Sequence, residues 1–178
     1  FSSDFLITTT SGGYYNALLN NLNFKGNSNR PVDVKVPYLA DNTHTYPNYD
    51  PTDATILGPI TTDDDRFYQY FSYTPNFGIL MESRGRGLFS NYIRERWTNS
   101  SNSLAEVGSI NPYFLSEEIR LLKAEALLWL HDYTSAAALL NEAGAARKSA
   151  GHLGDVTTTE DAIRQALHYE YAIEIDAA

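Results

Sequence analysis

The chain has 178 residues, of which 43% are hydrophobic; this is enough for one well-buried core, and the length predicts one domain or one and a half. Its 22 acidic and 13 basic side chains give a net charge of -9, which opposes binding to nucleic acid or to anionic membrane surfaces. Cysteine is absent, so disulfides, thiolate metal sites and cysteine nucleophiles are excluded, and no apolar run approaches the roughly 20 residues that cross a bilayer.

The first 110 residues are rich in Asn, Ser, Thr and Tyr, and turn formers dominate them. A short helix is predicted at Ser11–Leu22, because its larger apolar side chains fall on one face. Five prolines exclude a long helix between Asn23 and Asp65 and predict an extended, loop-rich excursion. Within it, the valines of Val32–Val36 alternate with polar residues, which indicates an edge strand with one apolar face.

Two aromatic segments follow. The sequence FYQYFSY at Phe67–Tyr73 places large rings on both faces of a strand, or around most of a short helix, and so predicts a buried segment in either case. The segment Ser90–Trp97 is predicted to be a short strand.

From Asn111 onward the chain becomes rich in Ala, Leu and Glu, which predicts helices. The first helix is expected to begin near Pro112 or Ser116 and to end near His131. We expect Trp129 in this helix and Tyr133 just beyond it to be core residues. The three-and-four spacing predicts the following buried face: Leu115, Ile119, Leu122, Ala126, Trp129 and Leu130.

A second helix is predicted at Thr134–Ala150, followed by Gly151 in a positive-φ conformation. Thr157 and Glu160 match a capping box, so a third helix is expected from about Thr158 to the end of the chain. Its apolar face also carries Glu170 and Glu174, two acids that would need partners if buried. Small and bulky residues in the first two helices follow the tetratricopeptide pattern: Ala124, Leu127, Tyr133, Ala136, Leu140 and Ala143.

A set of short motifs in this region resembles the C-terminal part of SusD/RagB proteins, which are outer-membrane nutrient-binding lipoproteins. Fainter support comes from Pro59–Phe67, where the family often has an acidic residue and an arginine that open a strand. The motifs are Ser116–Ala126, His131–Tyr133, Ala136–Ala137, Leu140–Asn141, Arg147 with Ala150–Gly151, and Tyr169–Glu174.

The resemblance implies a mainly α fold of tetratricopeptide-like helix pairs with a loop-rich, short-stranded excursion. Residues 1–110 would be the loop-rich middle segment, and residues 111–178 the helices, both within a longer single domain. The implied function is capture of glycan or oligosaccharide at the bacterial surface for a TonB-dependent transporter, with no catalytic step. A lipid anchor outside this sequence would attach the protein to the outer membrane.

The candidate ligand-binding residues are aromatic side chains and one arginine in polar loops. Sugars stack their apolar faces on aromatic rings, while their hydroxyl groups bind polar side chains. Tyrosines in a loop-rich region can equally cover a thin core, and this alternative remains open for each of them. The candidates are Tyr38, Tyr46, Tyr49, Trp97 and Arg96.

The sequence has little that indicates an enzyme or a metal protein. The four histidines are not spaced as metal ligands, and no nucleophile elbow, P-loop or dinucleotide fingerprint occurs. Asp63–Asp65, together with Asp50 and Asp53, would form a solvated turn or helix cap, a calcium site or, least of all, a catalytic pair. The alternatives to nutrient binding are a helical-repeat scaffold or surface-assembly protein and, more weakly, a glycan-degrading enzyme. The histidines are His44, His131, His152 and His168.

Overall fold

The computed structural model describes residues 5–8, 31–43, 59–74, 89–96 and 110–175, and this part of the chain is mainly α-helical with short strands. The strands are β1 Phe5–Thr8, β2 Pro31–Asp33, β3 Phe71–Tyr73, β4 Phe89–Arg94 and β5 Ile110–Phe114. The helices are α1 Lys35–Ala40, α2 Asp65–Tyr70, α3 Ser116–Trp129, α4 Tyr133–Leu140, α5 Ala146–Ser149 and α6 Glu160–Glu170, and a π-helical turn, Tyr171–Ile175, continues α6.

The strands form two small antiparallel sheets. Strand β1 pairs with β5, with Thr8 opposite Ile110. Strand β4 lies between β2 and β3, with Tyr92 opposite Tyr73. The strand predicted at Ser90–Trp97 is confirmed as β4, which begins one residue earlier and ends three residues earlier than predicted. The helix predicted at Ser11–Leu22 lies outside the described residues.

The edge strand predicted at Val32–Val36 is only partly right, since β2 ends at Asp33 and a helix follows it. The carboxylate of Asp33 accepts a hydrogen bond from the backbone N of Lys35 at 2.8 Å, which turns the chain into α1. Val32, Val34 and Val36 are all buried, but on two different elements. They pack with Phe67, Phe71 and Tyr92 in one core cluster.

The aromatic segment Phe67–Tyr73 combines both predicted alternatives, because α2 ends at Tyr70 and β3 begins at Phe71. Asp64 caps α2 by accepting a hydrogen bond from the backbone N of Arg66 at 3.0 Å. The acidic residue and arginine of this segment therefore open a helix, where the resemblance implied a strand.

The C-terminal helices enclose a second core. Helices α3 and α4 form a hairpin closed by the turn at Leu130–Asp132, and α6 packs against both. The residues buried between these helices include fully buried Leu121, Ala124, Ala136 and Ile163. In the described part of the chain, no helix is long and apolar enough to span a membrane.

The predicted second helix is broken, because α4 ends at Leu140 and α5 begins at Ala146. Asn141 lies at the break as the C-cap residue of α4. Its side-chain amide donates to the carbonyl oxygen of Val156 at 2.9 Å and accepts from the backbone N of Val156 at 2.8 Å. These two bonds hold the loop after α4 against the segment that leads into α6.

The predicted buried face of the first helix is wrong except at Leu115, which is buried at the start of the helix. Leu121, Ala124 and Leu128 point into the core, whereas Trp129 is 62% exposed. The helix carries apolar residues all round, so the three-and-four spacing fits two opposite faces, and the packing of α4 and α6 selects the other one. Tyr133, the second predicted core residue, is half-buried. The exposed apolar residues are Ile119, Leu122, Trp129 and Leu130, with Ala126 between them.

Two details of the helix ends also differ from the predictions. Thr159, two residues after the predicted Thr157, caps α6 by accepting a hydrogen bond from the backbone N of Ala162. The positive φ expected at Gly151 falls instead on His152, at 54°. Gly151 is required for a different reason, because a Cβ atom there would lie 2.7 Å from Nε of Arg66.

Candidate functional site

A fully buried arginine, Arg66, lies where the two halves of the described structure meet. Its guanidinium is bonded to three carboxylates: Nη2 contacts Asp64 at 2.7 Å, and Nη1 contacts Glu170 at 2.6 Å and Glu174 at 3.0 Å. Asp64 and Glu170 are fully buried as well, and Glu174 is almost so. We call Arg66 and the groups bonded around it the charge cluster.

Local structure places each carboxylate. Asp64 caps α2, so its carboxylate lies beside the side chain of Arg66 in the first turn of that helix. Glu170 ends α6, and Glu174 follows four residues later in the π-helical turn, which puts both on one face. The two acids that the sequence placed on the apolar face of the third helix are therefore buried and bonded to Arg66.

Two further arginines complete the charge cluster. Arg96 Nη2 contacts the carboxylate of Glu174 at 2.7 Å, its Nη1 donates to the carbonyl oxygen of Glu174 at 2.8 Å, and its guanidinium stacks over the ring of Tyr70. Arg147 Nε lies 3.4 Å from Glu170. The hydroxyl group of Tyr169 donates to Asp64 at 2.7 Å. Three cations thus neutralise three buried carboxylates.

The protonation of these groups follows from burial and bonding. Burial lowers the pKa of Arg66, but the hydrogen bonds with Glu170 and Asp64 outweigh it and raise the pKa above its ordinary value, so the cation persists. Burial raises the pKa of Glu170, against the opposing bond from Arg66. Burial, together with the charge of Glu174, raises the pKa of Tyr70 to about 12. Because each carboxylate is bonded to a guanidinium, the cluster offers no free general base and is suited to holding the fold together.

A pocket of about 230 Å³ adjoins the charge cluster. It lies between α1, the loop before α2, the loop after α5, and α6. Its apolar lining includes Leu39, Leu153 and Ala166, and its polar lining includes Asn42, Asp63 and Arg147.

A second groove, of about 180 Å³, lies between α3 and α6. Trp129 borders it, with the guanidinium of Arg164 5.3 Å from the centre of a Trp129 ring. Glu125 accepts a hydrogen bond from the hydroxyl group of Tyr171 at 2.7 Å. Trp129 belongs both to this groove and to the exposed apolar residues of α3.

The candidate ligand residues are only partly described. Tyr38 lies half-buried on α1, and the Arg96 side chain is bonded to Glu174 and stacks on the ring of Tyr70. Tyr46, Tyr49 and Trp97 lie outside the described residues, so the predicted aromatic platform stays a prediction.

The aspartate run has a structural role at its centre. Asp64 is a helix cap, as predicted, but a buried one, and both of its carboxylate oxygens are bonded to Arg66. Asp65 forms an exposed pair with His152 at 2.8 Å. No group of three His, Asp or Glu side chains suited to a metal ion occurs within the described ranges. Asp50 and Asp53 lie outside those ranges.

Sequence reasoning noted the two acids that needed partners but did not find Arg66 as the partner. The sequence does contain a signal for this cluster. An aspartate and an arginine lie two residues apart, and two glutamates lie four residues apart on an apolar helix face. Such residues cannot be buried unless opposite charges neutralise them.

No protein-family model matches this chain, and no match was found among curated proteins or among solved structures. The resemblance to SusD/RagB proteins therefore rests on the motif residues themselves.

Proposed function

We propose that this chain is a SusD-like nutrient-binding segment. It captures glycan or oligosaccharide at the bacterial outer-membrane surface and delivers it to a TonB-dependent transporter, with no catalytic step. Membrane attachment is by a lipid anchor outside this sequence.

The observation that carries the proposal is the convergence of the motif residues. Arg147, Glu170 and Glu174 belong to motifs that resemble SusD/RagB proteins, and Arg66 lies in the segment of fainter resemblance. Arg66 and Glu170 are 104 positions apart in the sequence, yet all four residues meet in the charge cluster. Each motif alone is weak evidence for the family. Because their residues form one cluster in the structure, the motifs support a single family pattern.

The pairing of α3 with α4 supports the finer part of the proposal, a tetratricopeptide-like arrangement. Ala124 on α3 and Ala136 on α4 are fully buried at the hairpin, where small residues let two helices approach closely. We propose that this hairpin and α6 are the repeat-like core on which the loop-rich segment rests.

Affinity gel electrophoresis tests the proposal, with soluble starch, xylan, mannan and mixed-linkage β-glucan each cast into a native gel. A nutrient-binding protein is retarded by at least one polysaccharide and releases no reducing sugar from it. Free migration in all four gels would contradict the proposal, and sugar release would indicate the enzyme alternative.

One observation favours the alternative of a scaffold or surface-assembly protein. Ile119, Leu122, Trp129 and Leu130 form an exposed apolar face on α3, with exposed fractions from 49% to 74%. A contiguous exposed apolar patch is more typical of an interaction site than of an ordinary surface, so this face favours contact with other protein. The scaffold function predicts self-association in sedimentation velocity that Leu130→Lys abolishes, together with free migration in every polysaccharide gel.

A further inference from the structure

We infer that the pocket beside the charge cluster binds one ring of a neutral saccharide. This inference rests on the proposed function and names the place on the described structure where the glycan is held. The pocket combines an apolar floor with converging polar groups, which is the lining that a sugar ring requires.

The first step of the argument is an available donor on a buried arginine. Arg147 lines the pocket with its side chain only 10% exposed. Its Nε contacts Glu170, and its Nη1 is bonded to Asn141 and to the carbonyl oxygen of Gly154. In the described part of the chain, the buried side-chain nitrogens that make no hydrogen bond are both on Arg120, where they form ion pairs with Glu117 and Glu142. The remaining nitrogen of Arg147, Nη2, makes no hydrogen bond to the described residues.

The bonds of Arg147 also hold this donor in place. A guanidinium fixed at Nε and Nη1 presents Nη2 in a defined direction, so little side-chain entropy is lost when a ligand oxygen binds there. The exposed side chains of Asn42 and Asp63 supply an amide and a carboxylate at the same pocket. Together these groups can donate to ring and hydroxyl oxygens and accept from hydroxyl hydrogens.

The charge of the pocket lining favours a neutral ligand over an anionic one. Of the residues that line the pocket, Asp63 is the one acid and Arg147 the one cation, and the carboxylate of Glu170 is paired with Arg147. The lining therefore has no net charge, and Arg147 is not an unpaired cation that would favour a carboxylate or phosphate ligand. A neutral polyol needs no such cation.

The volume of the pocket favours a small ligand. Pockets for drug-sized ligands occupy about 300–1,000 Å³, and this pocket has about 230 Å³. One sugar ring of a longer chain fits that volume, with its apolar face against Leu39, Leu153 and Ala166.

Variants of the pocket test the inference without disturbing the charge cluster. Asp63→Ala and Asn42→Ala each remove one exposed polar group, and Ala166→Leu fills the apolar floor. Asp161→Ala is the matched control, because Asp161 is an exposed acid on α6 that does not line the pocket. Thermal melts establish that each variant is folded. Binding is then measured by affinity gel electrophoresis and calorimetry with starch, xylan, mannan and mixed-linkage β-glucan.

We expect Asp63→Ala and Ala166→Leu to weaken binding of the retained polysaccharide by about tenfold, with Asp161→Ala unchanged. If the parent protein binds a polysaccharide and folded pocket variants bind it equally well, the pocket inference is overturned while the proposed function stands. If the parent protein binds none of the four, the proposed function fails, and the pocket inference fails with it.

Discussion

Arg66 and Glu170 are 104 positions apart in the sequence and are joined by two hydrogen bonds, Nη1 to Oε2 at 2.6 Å and Nη2 to Oε1 at 3.0 Å. Arg66 belongs to α2 in the loop-rich half, and Glu170 ends α6 in the helical half. This bidentate pair, with Asp64 and Glu174 around it, fixes the two halves against each other.

Replacing Arg66 by Met should therefore destabilise the protein severely. Met fills similar space but leaves Asp64, Glu170 and Glu174 buried without their central cation. Removing one partner of a buried ion pair costs about 3–5 kcal/mol. Urea denaturation followed by circular dichroism measures the loss.

The control for this prediction is Arg164→Met. Arg164 pairs with Glu160 on the surface of α6, with both side chains almost half exposed. Exposed pairs are worth about 0–1 kcal/mol. Equal losses for the two variants would mean that the charge cluster does not hold the fold.

Two glycines in one loop offer a second matched pair. A Cβ atom at Gly151 would lie 2.7 Å from Nε of Arg66, 2.8 Å from Asp64 and 2.9 Å from the carbonyl oxygen of Arg147. At Gly154 it would meet nothing within 4 Å. Gly151→Ala should cost about 1–3 kcal/mol through overpacking against the charge cluster, whereas Gly154→Ala should have little effect. A melting temperature that is unchanged by Gly151→Ala would argue against the close approach.

The sequence was most informative where local chemistry decides the structure. The mainly α-helical character, the β4 strand, the helix cap in the aspartate run and the need of Glu170 and Glu174 for partners all follow from nearby residues. Asp64 shows where this local information ends. Its neighbours in the sequence predict a helix cap, but only the fold shows that Tyr169 and Arg66 bind its carboxylate in the protein interior.

The sequence predictions that differ from the structure concern features that depend on tertiary packing. Helix α3 has apolar residues on two faces, so periodicity could not decide whether Leu121 or Leu122 is buried. The break after α4 depends on Asn141 reaching Val156, 15 positions away, which no local pattern indicates. The pocket beside Arg147 is formed by four separate segments of the chain. Residue spacing within each segment does not predict how the segments pack together.

Substitution at the helical hairpin tests the packing of α3 against α4. Ala136 is fully buried, whereas Ala138, two positions further along the same helix, is exposed. Ala136→Leu should destabilise by about 1–3 kcal/mol, because the larger side chain must push the helices apart. Ala138→Leu should change the free energy of unfolding by less than about 0.5 kcal/mol. The hairpin packing would be refuted by equal melting temperatures for the two variants.

The free energy of unfolding should also fall at alkaline pH, because the phenol of Tyr70 ionises there. Burial, with the charge of Glu174, raises the pKa of this phenol from its ordinary 10.0 to about 12. A folded-state pKa above the unfolded value contributes stability that is fully present below about pH 10 and is lost as the pH rises towards 12. Burial raises the pKa of Tyr169 as well, which adds to the loss in the same direction.

Tyr70→Phe isolates the contribution of Tyr70. The variant should lose some stability near neutral pH with the hydrogen bond to Glu174. Its free energy of unfolding should then fall less steeply than that of the parent protein as the pH rises through 10. Tyr68→Phe is the control, because Tyr68 is 58% exposed, and its slope should match that of the parent. Urea denaturation at several pH values measures all three slopes. Parallel slopes for the parent and Tyr70→Phe would mean that the phenol ionises as readily in the folded protein as in the unfolded chain.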